Sequence, residues 1–265
     1  MQKFEKDYAR LVSEILEVGE HKSTRNGIVR GVFGRSLTVP VGQCFPIIQG
    51  RKMYIKGILG EFAAMIRQPK SVEDFAKWGC NYWNMWADTD GMLDVDYGNA
   101  WFDFNGYDQI AALRDMLNND PTSRRMIVSS WRPDKLSSLS LPCCHYSYQF
   151  YVREGRYLDM IWTQRSVDMM IGLPSDIVLG AIWLLTLSNE VGLIAGNVKF
   201  DLGDCHVYAE HFSKAQEYLE HVQDNTYPLV AYSIACRDNF CDFEPGDLVL
   251  PNYEHGPVIN FVLKG

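Results

Sequence analysis

The sequence lacks a long apolar run, an excess of basic residues and closely paired cysteines. Its longest apolar stretch, residues 177–187, is too short to span a bilayer and is typical of a buried helix, so no membrane partner is predicted. The formal net charge of −8 does not indicate a nucleic-acid polymer as a partner, although a local arginine cluster can still bind one small anion.

The seven cysteines are an odd number and include no CxxC pair, which favours reduced thiols in a cytoplasmic protein over a disulfide framework. The N-terminus is charged from its first residues and shows no apolar core of a signal peptide. The length favours one domain over residues 1–265, and no internal repeat, linker or metal site is predicted.

The spacing of apolar residues predicts several helices. They are an N-terminal helix with Phe4, Tyr8, Leu11 and Ile15 on one face, helices at 55–66 and 107–118, a long apolar helix from about Pro174 to Glu190, and a later helix with Phe212, Ala215 and Leu219 on one face.

Alternating apolar and polar residues predict strands at 146–152 and 158–162, joined as a hairpin by a turn at 153–156. Residues 28–39 also alternate, which predicts strands joined around Gly34. Because strands and helices are mixed without a regular strand-helix-strand rhythm, the predicted class is α+β with a largely antiparallel or mixed sheet.

A Cys-Cys-His run, Cys143 to His145, comes directly before the predicted hairpin. A cysteine at a strand entrance can act as a thiolate nucleophile if nearby positive charge lowers its pKa. Taken alone, a cysteine is more often a small buried apolar residue, and a histidine next to it on a strand points to the opposite face. The dipeptide by itself therefore leaves both interpretations open.

Two arginine motifs strengthen the catalytic interpretation. Arg124-Arg125 follows a turn-like segment, and Arg165-Ser166 ends the second hairpin strand. Guanidinium forks suit phosphate oxygens and a serine hydroxyl adds a neutral donor, although either pair could instead be solvated surface arginines.

A second polar pattern, His206 and Tyr208, lies on one face of a predicted strand and fits donors to a sugar hydroxyl. A satisfied half-buried strand is the simpler explanation of this pattern when it is considered alone.

Several segments, in consistent order, together resemble the thymidylate synthase family, over roughly residues 20 to 260. The family's usual catalytic loop is LPPCH followed by an aromatic strand, and here the loop and strand are LPCCHYSYQFYV. The other matching segments are Phe45-Pro46 with the helix that contains Glu61, WNMWAD at 83–88, DYGNAW at 96–101, DPTSRR at 120–125, QRSVDMMIGLPSD at 164–176 and GDCHVYAEH at 203–211.

The resemblance implies a homodimer that binds a pyrimidine nucleoside monophosphate and uses 5,10-methylenetetrahydrofolate as the one-carbon donor. Cys144 would add to C6 of the base and make C5 nucleophilic. The implied catalytic residues are Cys144, Glu61, His145 and Asp176, with Glu61 ordering water for proton transfers.

The same resemblance assigns the binding residues. Arg165, Ser166 and Arg25 would hold the 5′-phosphate, and Arg124 and Arg125 would reach the phosphate of the partner subunit. The other implied binding residues are His206 and Tyr208 for the 3′-hydroxyl, Trp83, Asp168 and Gly172 for the folate, and Asp168 and Asp176 for the nucleotide.

Asp176 departs from the family pattern, which has asparagine at this position. An asparagine amide donates to O4 of uracil and accepts from N3–H, whereas cytosine presents an N4 donor and an N3 acceptor. The same aspartate is found in (d)CMP hydroxymethylases, which favours a (deoxy)cytidylate 5-hydroxymethyltransferase. The alternatives are a dCMP methylase or a thymidylate synthase, and a non-catalytic nucleotide-binding or regulatory protein. A neutral exchange in a divergent synthase would also place aspartate here.

Overall fold

A computed structural model describes residues 2–264. The helices are α1 (Lys3–Val18), α2 (Ile55–Met65), α3 (Val72–Ala76), α4 (Asn99–Phe102), α5 (Gln109–Asn119), α6 (Gly172–Glu190) and α7 (Phe212–Asp224). The strands are β1 (Glu20–Thr24), β2 (Gly27–Pro40), β3 (Ile127–Ser129), β4 (His145–Arg153), β5 (Tyr157–Asp168), β6 (Ile194–Tyr208), β7 (Ser233–Ile234) and β8 (Leu248–Val249).

Six strands form the main sheet in the order β1-β2-β6-β5-β4-β3. The pair β5–β6 is parallel and the other four adjacent pairs are antiparallel. A parallel pair needs a crossover connection, and α6 provides it. The predicted α+β class with a mixed sheet is therefore confirmed.

The predicted hairpin is confirmed as β4 and β5, in which Tyr148 pairs with Trp162 and Phe150 pairs with Met160. The prediction of separate strands around Gly34 is wrong, because β2 is one strand paired with β6 on both sides of this glycine. Gly34 has a φ of +73°, which glycine adopts at no steric cost, so the ladder continues through it.

The helix predictions are confirmed, and α6 is buried along most of its length. It is apolar on every side, as expected for a helix inside the core. A Cβ at Gly180 would stand 3.2 Å from Phe200, so this glycine allows the helix to lie close to the sheet. One turn before Gly180, Asp176 lies near the N-terminus of α6, where strand ends and loops converge. Among residues 2–264, no helix combines the length and apolar character needed to cross a membrane.

Candidate active site

A cavity of about 520 Å³ lies where the N-terminus of α6, the ends of β5 and β6, the loop before β4 and the last described residues meet. It is in the size range of pockets that hold small-molecule ligands. The residues singled out from the sequence that line it are Arg25, Glu61, Trp83, Cys144, His145, Arg165, Ser166, Asp168, Gly172, Asp176, His206 and Tyr208. Arg124 and Arg125 do not line it, and both are exposed just before β3.

Cys144 lies in the loop that enters β4, and its thiol borders the cavity. Its backbone N–H donates to the hydroxyl of Tyr97 at 2.5 Å, which fixes the loop. Burial raises the pKa of the thiol, and the charge of Arg165 opposes that shift without overcoming it. The expected lowering of the pKa by surrounding positive charge is therefore not found in the free site.

Cys143 has a different environment from its neighbour. It is buried in the core, does not line the cavity, and burial raises its thiol pKa strongly. Of the two adjacent cysteines, the geometry thus favours Cys144 as the one that can meet a ligand in the cavity.

Arg165 connects the catalytic loop to β5. Its Nε donates to the carbonyl oxygen of Cys143 and its Nη2 to that of Pro142, each at 2.8 Å. Its backbone N–H donates to the carbonyl oxygen of Cys144 at 2.9 Å. A guanidinium group has five N–H donors, so donors remain free for an anion. Ser166 follows it on the cavity wall.

Arg25 occupies the turn between β1 and β2, and its side chain also lines the cavity. Its Nε donates to Oδ1 of Asn26 at 3.1 Å. Val29, just after the turn, pairs with Tyr208, so this turn lies beside the end of β6. Arg25 and Arg165 are two of the cationic side chains that line the cavity, and both are suited to a phosphate.

Asp176 is nearly inaccessible to solvent, with 7% of its surface exposed. Its Oδ2 accepts a hydrogen bond from Nε2 of Gln164 at 2.7 Å, and its Oδ1 lies 3.8 Å from Nε2 of His145. Burial raises the pKa of this carboxyl well above its usual range, and the charge of Glu61 adds to the shift. The free site therefore favours the protonated carboxyl.

His145 faces Asp176 as a neutral imidazole, because burial lowers its pKa to about 3. The 3.8 Å contact between them is consequently not an ion pair at neutral pH. Nδ1 of the ring lies 2.6 Å from the hydroxyl of Tyr148, a residue that is itself fully buried.

Glu61, on α2, accepts two hydrogen bonds, from the hydroxyl of Tyr82 at 2.5 Å and from the indole N–H of Trp83 at 2.9 Å. Burial raises its pKa to about 7, and the two hydrogen bonds act in the opposite direction. A carboxyl group that titrates near neutral pH is suited to general acid-base catalysis.

Replacing Glu61 with Gln is expected to stabilise the protein above neutral pH. The glutamate titrates near 4.5 when exposed and near 7 in the fold. The folded state therefore binds more protons across this window, and stability falls as the pH rises through it. Relative to wild type, the free energy of unfolding of the variant should increase by about 3 kcal/mol between pH 4.5 and about pH 8.

Denaturant unfolding at both pH values measures this difference. Glu73→Gln provides the matched control, because Glu73 is exposed on α3. If the free energy of unfolding of Glu61→Gln differed from that of wild type by the same amount at both pH values, the raised pKa of Glu61 would be contradicted.

His206 and Tyr208 lie together at the end of β6, with their rings edge to face and the centroids 5.2 Å apart. Nδ1 of His206 lies 3.0 Å from Oδ1 of Asp204, which orients the ring. Both side chains border the cavity, so both can donate to a hydroxyl group inside it.

Asp168 ends β5, and its Oδ1 accepts from the backbone N–H of Met170 at 2.8 Å and of Ile171 at 3.3 Å. Burial raises the pKa of this carboxyl group. Gly172 lies between the half-buried Asp168 and the buried Asp176, since a Cβ there would stand 3.9 Å from both Cβ of Asp168 and Oδ2 of Asp176.

One wall of the cavity is aromatic. Trp83 stacks on Phe75 with centroids 4.7 Å apart, and Trp86 lies 5.2 Å from Trp83. The buried indole nitrogen of Trp86 has no hydrogen-bond partner within the described part of the chain. A flat heterocycle could pack against this wall, and Asp168 supplies an acceptor in the same cavity.

Three residues of the site were not assigned a role from the sequence. Tyr97 holds the backbone of Cys144, Gln164 holds Asp176, and Tyr82 holds Glu61. Each lies inside or beside a segment that carries the family resemblance, so the segments indicated the region. The pairings join residues distant in sequence and require the fold.

The thymidylate synthase family model matches residues 6–264, nearly the whole chain, and so extends beyond the segments noticed in the sequence. Members of this family are one-carbon transferases that act at C5 of a pyrimidine nucleotide and use a folate. The aromatic wall and the Asp168 carboxyl in the same cavity fit the flat ring of such a folate and its polar edge. The chain is thus an enzyme of one-carbon transfer, and it belongs to the thymidylate synthase family.

Proposed function

We propose that this enzyme is a (deoxy)cytidylate 5-hydroxymethyltransferase. The observation that carries the proposal is Asp176, a buried carboxyl group inside the cavity. Cytosine can donate from N4 to one oxygen of this group and accept its proton at N3. Uracil already carries a proton at N3 and cannot take a second one there.

The protonation state of Asp176 supports this choice of base. Burial raises its pKa, so the free site holds a proton that cytosine N3 can share. Movement of this proton toward N3 withdraws electrons from the ring and favours attack on C6 by Cys144. A neutral carboxyl can also pair with uracil, but only cytosine can go on to the charge-separated pair.

The remaining residues have roles that follow from their positions. Arg25, Arg165 and Ser166 would hold the 5′-phosphate, and His206 and Tyr208 the 3′-hydroxyl. When bound, 5,10-methylenetetrahydrofolate supplies the one-carbon unit, and the residues that would hold it are Trp83, Asp168 and Gly172.

Glu61 could provide the base that hydroxymethylation requires. With a pKa of about 7, it can accept a proton from water in a cavity at neutral pH. Addition of that water would leave a hydroxymethyl group at C5. The rival functions are a dCMP methylase and a thymidylate synthase, for which Trp83 and Asp168 are equally well placed.

The test is to incubate the protein separately with dCMP, CMP and dUMP together with 5,10-methylenetetrahydrofolate. Mass spectrometry should show a gain of CH2O on a cytosine nucleotide, without the absorbance of dihydrofolate. A gain of CH2 with dihydrofolate would indicate a methylase, and preference for dUMP would indicate a thymidylate synthase. The comparison of CMP with dCMP determines the sugar.

We further propose that the enzyme is a homodimer whose phosphate site includes the partner subunit's Arg124 and Arg125. These arginines are exposed and lie outside the cavity of their own subunit. Near them on the sheet, Ile127 and Tyr151 are also exposed, at 46% and 59%. An uncovered sheet face with apolar side chains is suited to packing against a second copy.

Subunit mixing should restore activity if the sites are shared. Arg125→Ala and Cys144→Ser subunits should each be inactive, whereas a hybrid dimer contains one site with both residues intact. After full exchange of equal amounts, activity should reach about a quarter of the wild-type value, because half the dimers are hybrids with one working site.

The matched control is a mixture of Arg125→Ala with the doubly substituted Arg125→Ala, Cys144→Ser chain. It forms hybrids in which no site has both residues, so it should stay inactive. Equal activity in the two mixtures, after exchange is verified, would count against a shared site.

A further inference from the structure

Behind His145, a chain of buried hydrogen bonds runs from the core to the cavity. The indole N–H of Trp101 donates to Oγ of Ser130 at 2.8 Å. Ser130 and Trp101 are both placed to donate to the hydroxyl of Tyr148, and this hydroxyl lies 2.6 Å from Nδ1 of His145. Each of these groups is nearly inaccessible to solvent, so water does not compete for their hydrogen bonds.

Trp101 sets the direction of this chain, because an indole nitrogen can only donate. Oγ of Ser130 therefore accepts from Trp101 and keeps its own proton to donate to the oxygen of Tyr148. The proton of Tyr148 is then directed onward. It has two acceptors in reach, Nδ1 of His145 at 2.6 Å and the carbonyl oxygen of His145 at 3.3 Å, and the shorter contact is to the ring.

We propose that Tyr148 is a positioning residue that fixes the tautomer of His145, so that Nε2 carries the ring proton and presents it to Asp176. If Nδ1 accepts from Tyr148, a neutral ring must carry its proton on Nε2. That nitrogen lies 3.8 Å from Oδ1 of Asp176. The distance is longer than a direct hydrogen bond, but the N–H dipole acts on the carboxyl group across the gap.

Two pKa directions agree with this arrangement. Burial raises the pKa of Tyr148 well above its usual range, so its hydroxyl keeps the proton that it donates. Burial lowers the pKa of His145 to about 3, so the ring stays neutral and has one N–H. No proton needs to be gained or lost for the chain to keep its direction near neutral pH.

The consequence for Asp176 is a donor at each carboxyl oxygen. Gln164 donates to Oδ2 at 2.7 Å, and Nε2–H of His145 faces Oδ1. Donors at both oxygens stabilise the carboxylate that forms when its proton moves to the base. This last step rests on the proposed cytosine specificity, whereas the tautomer of His145 does not.

The experiment combines one conservative variant with two measurements. Tyr148→Phe removes the hydroxyl and keeps the ring in the core. Nitrogen-15 NMR of the free wild-type protein should show His145 protonated at Nε2, and the variant should show loss of that single tautomer. The His145 signals are assigned by their disappearance in His145→Gln.

In steady-state kinetics, Tyr148→Phe should lower kcat for the cytosine nucleotide about tenfold with little change in KM. The reason is that the Asp176 carboxylate, which the two donors stabilise, forms only during the reaction. Tyr146→Phe is the matched control. It lies on the same strand against Trp131, outside the chain and the cavity, and should change neither measurement.

A wild-type ring protonated at Nδ1, or an unchanged tautomer in Tyr148→Phe, would overturn the proposal. If Tyr148→Phe does not fold, Ser130→Ala removes the preceding donor. This variant should also lower the population of the His145 tautomer protonated at Nε2, but by less than Tyr148→Phe. No shift in a folded Ser130→Ala variant would then overturn it. Because the NMR measurement uses no substrate, it stands even if the enzyme proves to act on uracil.

Discussion

Cys144→Ser is expected to reduce turnover by at least about 1,000-fold while nucleotide binding stays within a fewfold of wild type. A serine hydroxyl has nearly the same shape as the thiol but is a far weaker nucleophile near neutral pH. The loop should keep its position, because Arg165 holds it through the carbonyl oxygens of Pro142 and Cys143 and Tyr97 holds it through the backbone N–H. Equilibrium binding of dCMP and single-turnover kinetics separate the two effects.

Cys143→Ser, at the residue adjacent to Cys144, is the control. Cys143 is buried and outside the cavity, so the substitution should lower stability while activity per folded molecule stays near wild type. Thermal unfolding and active-site titration distinguish loss of fold from loss of chemistry. An inactive, folded Cys143→Ser beside an active Cys144→Ser would reverse the assignment of the nucleophile.

The local sequence pattern predicted the elements that present the site. Strict alternation in β4 and β5 and the apolar run of α6 reflect burial, which depends on side-chain chemistry that can be recognised locally. The sequence pattern is ambiguous at Gly34, because glycine is common in turns and its positive φ also fits inside a paired strand. Only the partner strand β6 distinguishes these two cases.

The electrostatics of the site could not be predicted in the same way. The arginine motifs suggested a low thiol pKa at Cys144, but burial outweighs Arg165 and raises it. Burial also raises the pKa of both Glu61 and Asp176, which come from α2 and α6. Desolvation depends on how several elements pack together, and no short motif contains that information.

The contacts that orient the site are also non-local. Tyr97 and Cys144 are 47 residues apart, and Trp101 and Ser130 are 29 apart. A motif can indicate that such residues lie in the same region, but it does not specify which atom donates to which. The direction of the hydrogen bonds to His145 follows only once Trp101, a residue that can only donate, is placed at their start.

Asp176→Asn is expected to exchange the preferred base. An amide N–H can donate to cytosine N3 but, unlike a carboxylic acid, cannot transfer its proton to it, so kcat/KM for dCMP should fall about 100-fold or more. An amide can donate to O4 of uracil and accept from N3–H, so turnover of dUMP should rise. The fold should tolerate the change, because Gln164 has an unpartnered Oε1 and can turn its amide to serve either orientation of the new side chain.

The decisive quantity is the ratio of kcat/KM for dCMP to that for dUMP, measured in wild type and variant. Asp168→Asn is the matched control, since it replaces another carboxyl of the same cavity with an amide. It should lower activity with both nucleotides and leave their ratio unchanged. If both variants changed the ratio equally, the effect would come from cavity charge and not from pairing with the base. A wild-type enzyme that prefers dUMP would refute the assignment of Asp176 as the cytosine-selecting residue.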